Sequence, residues 1–397
     1  MWNQSDYIER TVENISTKKF VELAKDYTKR ADMFLLVTCV ITTIIGIIAI
    51  RSATLSYESS KFVIVQTFSL LIGICAYVLF TYIDPDLIAD KWVYLCVFNA
   101  LIILILIPFG HDDGTGNKAW LRFGSIGVQP SEIAKIIFIV LMAKHMTVLK
   151  ERRQINDFKG VLQLAVHWGA LFVLVVGVTS DLGSALILFA IFAVMLIAAG
   201  VAWYWMGLAA AAMAALIPLA WNFLFHDYQK QRIIAPYAPE LVDPDGNGIT
   251  WQTVQSKSAL ASGRLSGVGY GQGLKTQSSA LPAKHTDCIF ASIGEEMGMI
   301  VCVLIMVLLL IIIIRCCIVG VRSGSTFGML ICFGVAAALT FQTFINIGMC
   351  IGITPVIGIT LPFISYGGSS IVTLFAAVGL VSGVKYRPKP QHFMIQY

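Results

Sequence analysis

A chain of 397 residues that is 57% hydrophobic and only 13% charged lacks the polar side chains to cover a soluble surface, where about 25% charged is usual. A bilayer is therefore its solvent, and the net charge of +5 reads as basic cytoplasmic ends rather than as nucleic-acid binding. The nine cysteines lie mostly in apolar runs, without the spacing of metal ligands or of a disulfide framework.

Residues 1–30 are charged and mixed, and read as a cytoplasmic tail rather than a cleavable signal peptide. About 20 apolar residues are needed to cross a bilayer as helix. Runs that qualify lie at 33–50, 62–83, 92–110, 131–148, 161–179, 183–200, 202–223, 298–319, 326–350 and 365–384. The fold class is therefore all-α integral membrane, with about ten transmembrane helices in one domain over 31–384. Residues 385–397 form a short basic tail. Lys and Arg gather in the N-terminal tail, in the 149–160 loop, at Arg322 and in the C-terminal tail. With ten spans these segments share one side, so both termini are cytoplasmic. The long polar segment 224–297, between the seventh and eighth spans, is then extracytoplasmic.

Charges interrupt the apolar pattern at few places. Glu132 and Lys135 in the fourth run are three apart and share a helix face. An ionisable residue inside a span is costly and usually faces the bundle interior, so this pair is either a mutual salt bridge or the wall of a polar cavity. Asp181 stands at the turn before the sixth run, placed to cap that helix. In the large segment, Gly263, Gly267, Gly269, Gly271 and Gly273 allow close backbone approach and suggest a flexible lid. Asp243 and Asp245 open a calcium-like loop but lack its spacing and closing Glu, which leaves a turn. Cys288 is the only cysteine of the segment, so no disulfide can form within it. Lys284-His285-Thr286-Asp287 joins a cation, an imidazole and a carboxylate just before an apolar helix, where a carboxylate can hold a raised pKa and act as a base. Finally, Leu361-Pro362-Phe363-Ile364-Ser365-Tyr366-Gly367-Gly368-Ser369-Ser370 precedes the last run. Its hydroxyls and amides suit an anionic headgroup, or its small residues suit close packing.

Taken together, the block from Trp120 through Gln129-Pro130-Ser131-Glu132 to Lys135, then Asp181-Leu182-Gly183, the stretch from His285-Thr286-Asp287 to Gly294-Glu295-Glu296, and the Leu361–Ser370 block resemble the shape, elongation, division and sporulation (SEDS) family, the RodA/FtsW/SpoVE proteins. The resemblance runs from about residue 35 to 384. It implies a ten-helix peptidoglycan glycosyltransferase that polymerises lipid II on the outer face of the bacterial cytoplasmic membrane, releases undecaprenyl pyrophosphate and pairs with a class B penicillin-binding protein. By the resemblance Asp287 is the catalytic acid residue, with Glu132 and Lys135 in the polar cavity and Arg232 at a recurrent position. Asp181, His285 and Ser369 join these as candidate substrate-binding residues. The chain departs from the family at Ala283, where Glu is usual, at Cys288, where Phe is usual, and at Ser180, where Pro is usual.

The reaction so implied is an inverting transfer with Asp287 as base. Lys135 and Arg232 are candidates to meet the pyrophosphate. The residues commit to no cofactor, although a divalent cation, Mg or Mn, suits that leaving group. A lipid flippase would also use intramembrane charges, and a scaffold of the cell-wall machinery is a third reading.

Overall fold

The computed structural model describes Glu22 and residues 25–57, 59–111, 118–123, 126–223, 227–278 and 280–387. Most of the N-terminal tail and residues 388–397 lie outside the described residues. Among the described residues ten long helices form the bundle: α1 Met33–Ala53, α2 Lys61–Tyr82, α3 Trp92–Leu104 (extended by Leu106–Phe109), α4 Pro130–Glu151, α5 Phe158–Thr179, α6 Leu182–Ala199, α7 Trp203–Phe223, α10 Ile289–Val321, α11 Thr326–Ile351 and α12 Gly368–Tyr386. Between α7 and α10 lie α8, Asp227–Ile234, and α9, Trp251–Gly263, with shorter helical turns around them.

Among the described residues, nine of the long helices have the length and apolar composition to cross a membrane. The remaining one, α4, is 22 residues long but includes Glu132, Lys135, Lys144 and Lys150. It is placed in the interior, packed on α11, α3 and α6, and its charged first turn is buried. α12 packs along α2, and α11 is sandwiched between α10 and α6.

At one end of the bundle a single carboxylate ties four helices. Asp32 is fully buried and caps α1 by accepting from the Leu35 N–H. It also receives Arg315 Nε of α10 at 2.7 Å and Lys385 Nζ of α12 at 3.6 Å. The Tyr77 hydroxyl of α2 donates to its carbonyl at 2.8 Å, and its own N–H donates to Ser382 Oγ at 3.0 Å. The opposite end carries the polar groups considered below.

Three elements differ from the sequence expectation. The helix expected over 298–319 begins at Ile289 and passes through a kink at Gly298, where φ is 82°. The helix expected from residue 365 starts at Gly368, and the buried stretch before it is not helical. Leu121–Phe123 (β1) and Ile126–Val128 (β2) pair as antiparallel strands of a hairpin, which the all-helical expectation did not include. The glycine-rich segment makes the close backbone approach that its glycines allow. Val268 and Gly269 N–H donate to the carbonyls of Glu295 and Glu296, at 2.9 and 3.1 Å. A Cβ on Gly263 would stand 1.8 Å from the Gly294 carbonyl oxygen. The glycines seat this segment on α10.

Candidate active site

A cavity of about 870 Å³ opens at the end of the bundle opposite Asp32. Its walls come from the hairpin (Trp120, Arg122), the start of α4 (Gln129, Glu132), the α5–α6 turn, α8 (Gln229, Arg232), α9, residues 285–287, the non-helical stretch before α12 and the first residues of α12.

Asp287 sits on this wall, and the backbone that carries it is fixed at every step. The carbonyl of Lys284 accepts from Ser292 Oγ at 2.8 Å and that of His285 from the Tyr366 N–H at 2.9 Å. The Thr286 carbonyl accepts from Ser365 Oγ at 2.7 Å, and that of Asp287 from Asn346 Nδ2 at 2.9 Å. Four consecutive peptide oxygens are thus held by α10, α11 and the stretch before α12, leaving the Asp287 side chain as the part that faces the cavity. Burial pushes its carboxyl up to about 6, and the nearby charge of Asp181 adds to this. A carboxyl so shifted exchanges protons near neutral pH.

Asp181 does what its position suggests and more. Oδ1 accepts from the Ser184 N–H at 3.0 Å, capping α6, while Oδ2 accepts from Ser184 Oγ at 2.6 Å and from Gln129 Nε2 at 3.2 Å. It lines the cavity as well, so capping and a polar wall are one arrangement. His285 lies among Phe62, Tyr57 and Tyr366, with ring centroids 4.7, 5.9 and 5.7 Å away. Burial, aided by Lys284, lowers its pKa to about 4, which keeps the ring neutral. Its Nδ1 is buried without a hydrogen-bond partner among the described residues.

Glu132 and Lys135 pair at 2.7 Å, with side chains only 8% and 4% exposed. Glu132 reaches the cavity wall, whereas Lys135 lies behind it, beside a separate small void of about 20 Å³. Arg232 is brought to the cavity by α8. Ser369 does not line it; its Oγ accepts from the Gln129 N–H at 3.2 Å and braces α12 against the start of α4.

Sequence reasoning passed over Asn346, an amide that shares its apolar run with Gln342, and the bond by which Ser365 holds residue 286. Gln252 of α9 was also missed; it lines the cavity and donates to Cys288 Sγ at 3.2 Å. The buried carboxylates Glu295 and Glu296 are structural. Glu295 accepts from Lys275 and Thr276 N–H and from Thr276 Oγ1. Glu296 accepts from Ser52 Oγ and from Gln277 Nε2. Together they fasten residues 273–277 to α10 and to the end of α1.

A family model described as "Cell cycle protein" and covering FtsW, RodA and SpoVE matches residues 32–389. The chain belongs to the FtsW/RodA/SpoVE family. It is 33% identical over 300 residues to "Peptidoglycan glycosyltransferase MrdB" of Escherichia coli K12, covering 76% of this chain and 79% of that protein. It is 31% identical over 371 residues to "Probable peptidoglycan glycosyltransferase FtsW" of Geobacter metallireducens, covering 91% and 96%. Among solved structures, a chain from work on polymerization and crosslinking by a peptidoglycan synthase complex matches with a TM-score of 0.74 and 25% identity, over 89% of this chain and 97% of that one. The Thermus thermophilus rod shape determining protein RodA matches with a TM-score of 0.64 over 89% and 96%, at 22% identity. Members of the FtsW/RodA/SpoVE family share the helical bundle found here, and this member is a multi-pass protein of the cytoplasmic membrane.

Proposed function

We propose that this FtsW/RodA/SpoVE protein is a peptidoglycan glycosyltransferase that polymerises lipid II, with Asp287 as the general base. The observation that carries the reading is the cavity that gathers Asp287, Asp181, Glu132, His285 and Arg232 in a chain whose relatives carry that activity by name.

In an inverting transfer the acceptor's 4-hydroxyl attacks the anomeric carbon of the donor from the face opposite its pyrophosphate. The C–O bond to undecaprenyl pyrophosphate breaks as the new glycosidic bond forms. Asp287 takes the proton of the attacking hydroxyl, a role worth roughly 10²–10⁴-fold in rate. Its pKa of about 6 keeps it ionised at neutral pH yet basic enough to accept a proton. Negative charge develops on the leaving group and needs positive charge or amide donors there. Arg232 at the cavity wall supports that role. Lys135 is neutralised by Glu132 and stands behind the wall, which makes it a support for Glu132. The unpartnered Nδ1 of neutral His285 suits a sugar hydroxyl or amide.

A divalent cation would fall to Asp181, a hard oxygen donor at the cavity wall, with the substrate's pyrophosphate completing the set. Such an ion would offset charge on the leaving group. No cluster of three or more protein ligands for a metal occurs among the described residues.

Both chain ends are read as cytoplasmic and the cavity as facing outward, which supports pairing with a class B penicillin-binding protein on that side. Asp287→Asn tests the assignment. The purified variant with its partner should insert and fold normally yet make no polymer from lipid II. Wild-type polymer from it would sink the role of Asp287, and lipid translocation without polymer by the wild type would replace the polymerase reading with transport.

A further inference from the structure

Cys288 follows Asp287 directly, and the fold brings a second cysteine to it from the end of α11. The Cys350 thiol contacts the carbonyl of Asp287, the residue before Cys288, at 3.6 Å, and the two thiols interact. Gln252 Nε2 and Ser256 Oγ of α9 donate to the same Cys288 sulfur at 3.2 and 3.3 Å. Both thiols are buried, and Gln252, which donates to the Cys288 sulfur, also lines the cavity. The pair joins two segments far apart in sequence, so a bond between them would clamp the Asp287 segment to α11.

We propose that Cys288 and Cys350 are a modification site: a disulfide formed by peroxide that locks the Asp287 segment and stops catalysis. The catalytic consequence rests on the polymerase reading; the disulfide itself does not. The donors around Cys288 favour its thiolate and hold the thiol below its ordinary value, the Cys350 contact foremost and against the effect of burial. The thiolate attacks hydrogen peroxide, a molecule near the size of water. The O–O bond breaks, a sulfenic acid forms and hydroxide leaves. Cys350 then gives up its proton, attacks the sulfenic sulfur and expels a second hydroxide, which is protonated to water. Two thiols lose two electrons and two protons, and one peroxide becomes two waters. A disulfide needs about 2.05 Å between sulfurs, closer than any thiol–thiol hydrogen bond. The two segments must therefore draw together, and the Cys350 contact to the Asp287 carbonyl is lost. On the outer face, where disulfides persist, the site would be lasting until reduced.

The experiment uses the full chain in detergent with its partner. Samples are treated with hydrogen peroxide, alkylated without reductant, digested and mapped by mass spectrometry, and parallel samples are assayed for polymer before and after dithiothreitol. The expected result is a peptide pair linked through residues 288 and 350, at least a tenfold fall in polymer, and recovery on reduction. Cys288→Ala, which lacks the attacking thiolate, should keep the same fraction of its own activity with and without peroxide. The proposal is overturned if the linked peptide does not form, if it forms without loss of polymer, or if Cys288→Ala is inactivated as the wild type is. A reduced wild-type chain that makes no polymer overturns the polymerase reading, and the linked peptide then still decides the disulfide.

Discussion

At the scale of single residues, the cavity sets one carboxylate against another. Asp287 is raised to about 6 by burial and by Asp181, so the base form is lost as pH falls through that value. The rate of polymerisation should fall on the acid side with an apparent pKa near 6, as read from a rate–pH profile. Removing the second charge with Asp181→Asn should move that acid limb to lower pH, because the larger cause, burial, remains while the like charge goes. An unmoved limb would remove Asp181 from the account. For stability the sign is the reverse. Ionising Asp287 costs the fold nothing below its ordinary value of 3.8 and the full penalty above about 6. A second residue-scale outcome concerns Glu132. Glu132→Gln leaves the Lys135 ammonium buried without its counter-charge, which costs about 3–5 kcal/mol. Glu132→Gln with Lys135→Met should recover much of this, as measured by thermal unfolding in detergent.

Among the elements, α10 serves two purposes on either side of Gly298. The turns before it carry Glu295 and Glu296 under the glycine-rich segment, and those after it form a long apolar span. Gly267 has φ of +80°, and a Cβ there would lie 2.2 Å from the Glu296 carbonyl oxygen. Gly267→Ala should cost about 1–2 kcal/mol for the left-handed backbone and about 1–3 kcal/mol for the clash. The measurement is a lowered unfolding midpoint together with weakened polymer synthesis. The spans were legible because a helix in lipid needs an unbroken apolar run. The kink, the hairpin and the non-helical stretch before α12 were not. Hairpin strands of three residues show no alternation to read, and apolar residues such as Ile364 look helical wherever they are buried. Asp287 stood out as a charge beside an apolar helix. Its supports did not, because Asn346 and Ser365 are bonded across 59 and 79 residues of chain by single polar groups among apolar ones.

Over the whole molecule, the polar groups gather at two ends with apolar packing between. The Asp32 cluster joins α1, α2, α10 and α12 at the end away from the cavity. Asp32→Ala should lower the unfolding midpoint, since it strands Arg315 and Lys385 and removes a helix cap worth about 1 kcal/mol. The KM for lipid II in the folded fraction should stay as in the wild type, which separates this end from the chemistry of the other. A changed KM would mean that the two ends are coupled through the bundle. The break at Gly298 carries a further consequence for how the molecule opens. The amides just past it bond across to the neighbouring segment: Met299 and Ile300 N–H donate to the carbonyls of Arg264 and Leu265, at 2.9 and 3.2 Å. Deuterium uptake at those two positions therefore reports whether the 263–273 segment is seated, even while the helix around them stays intact.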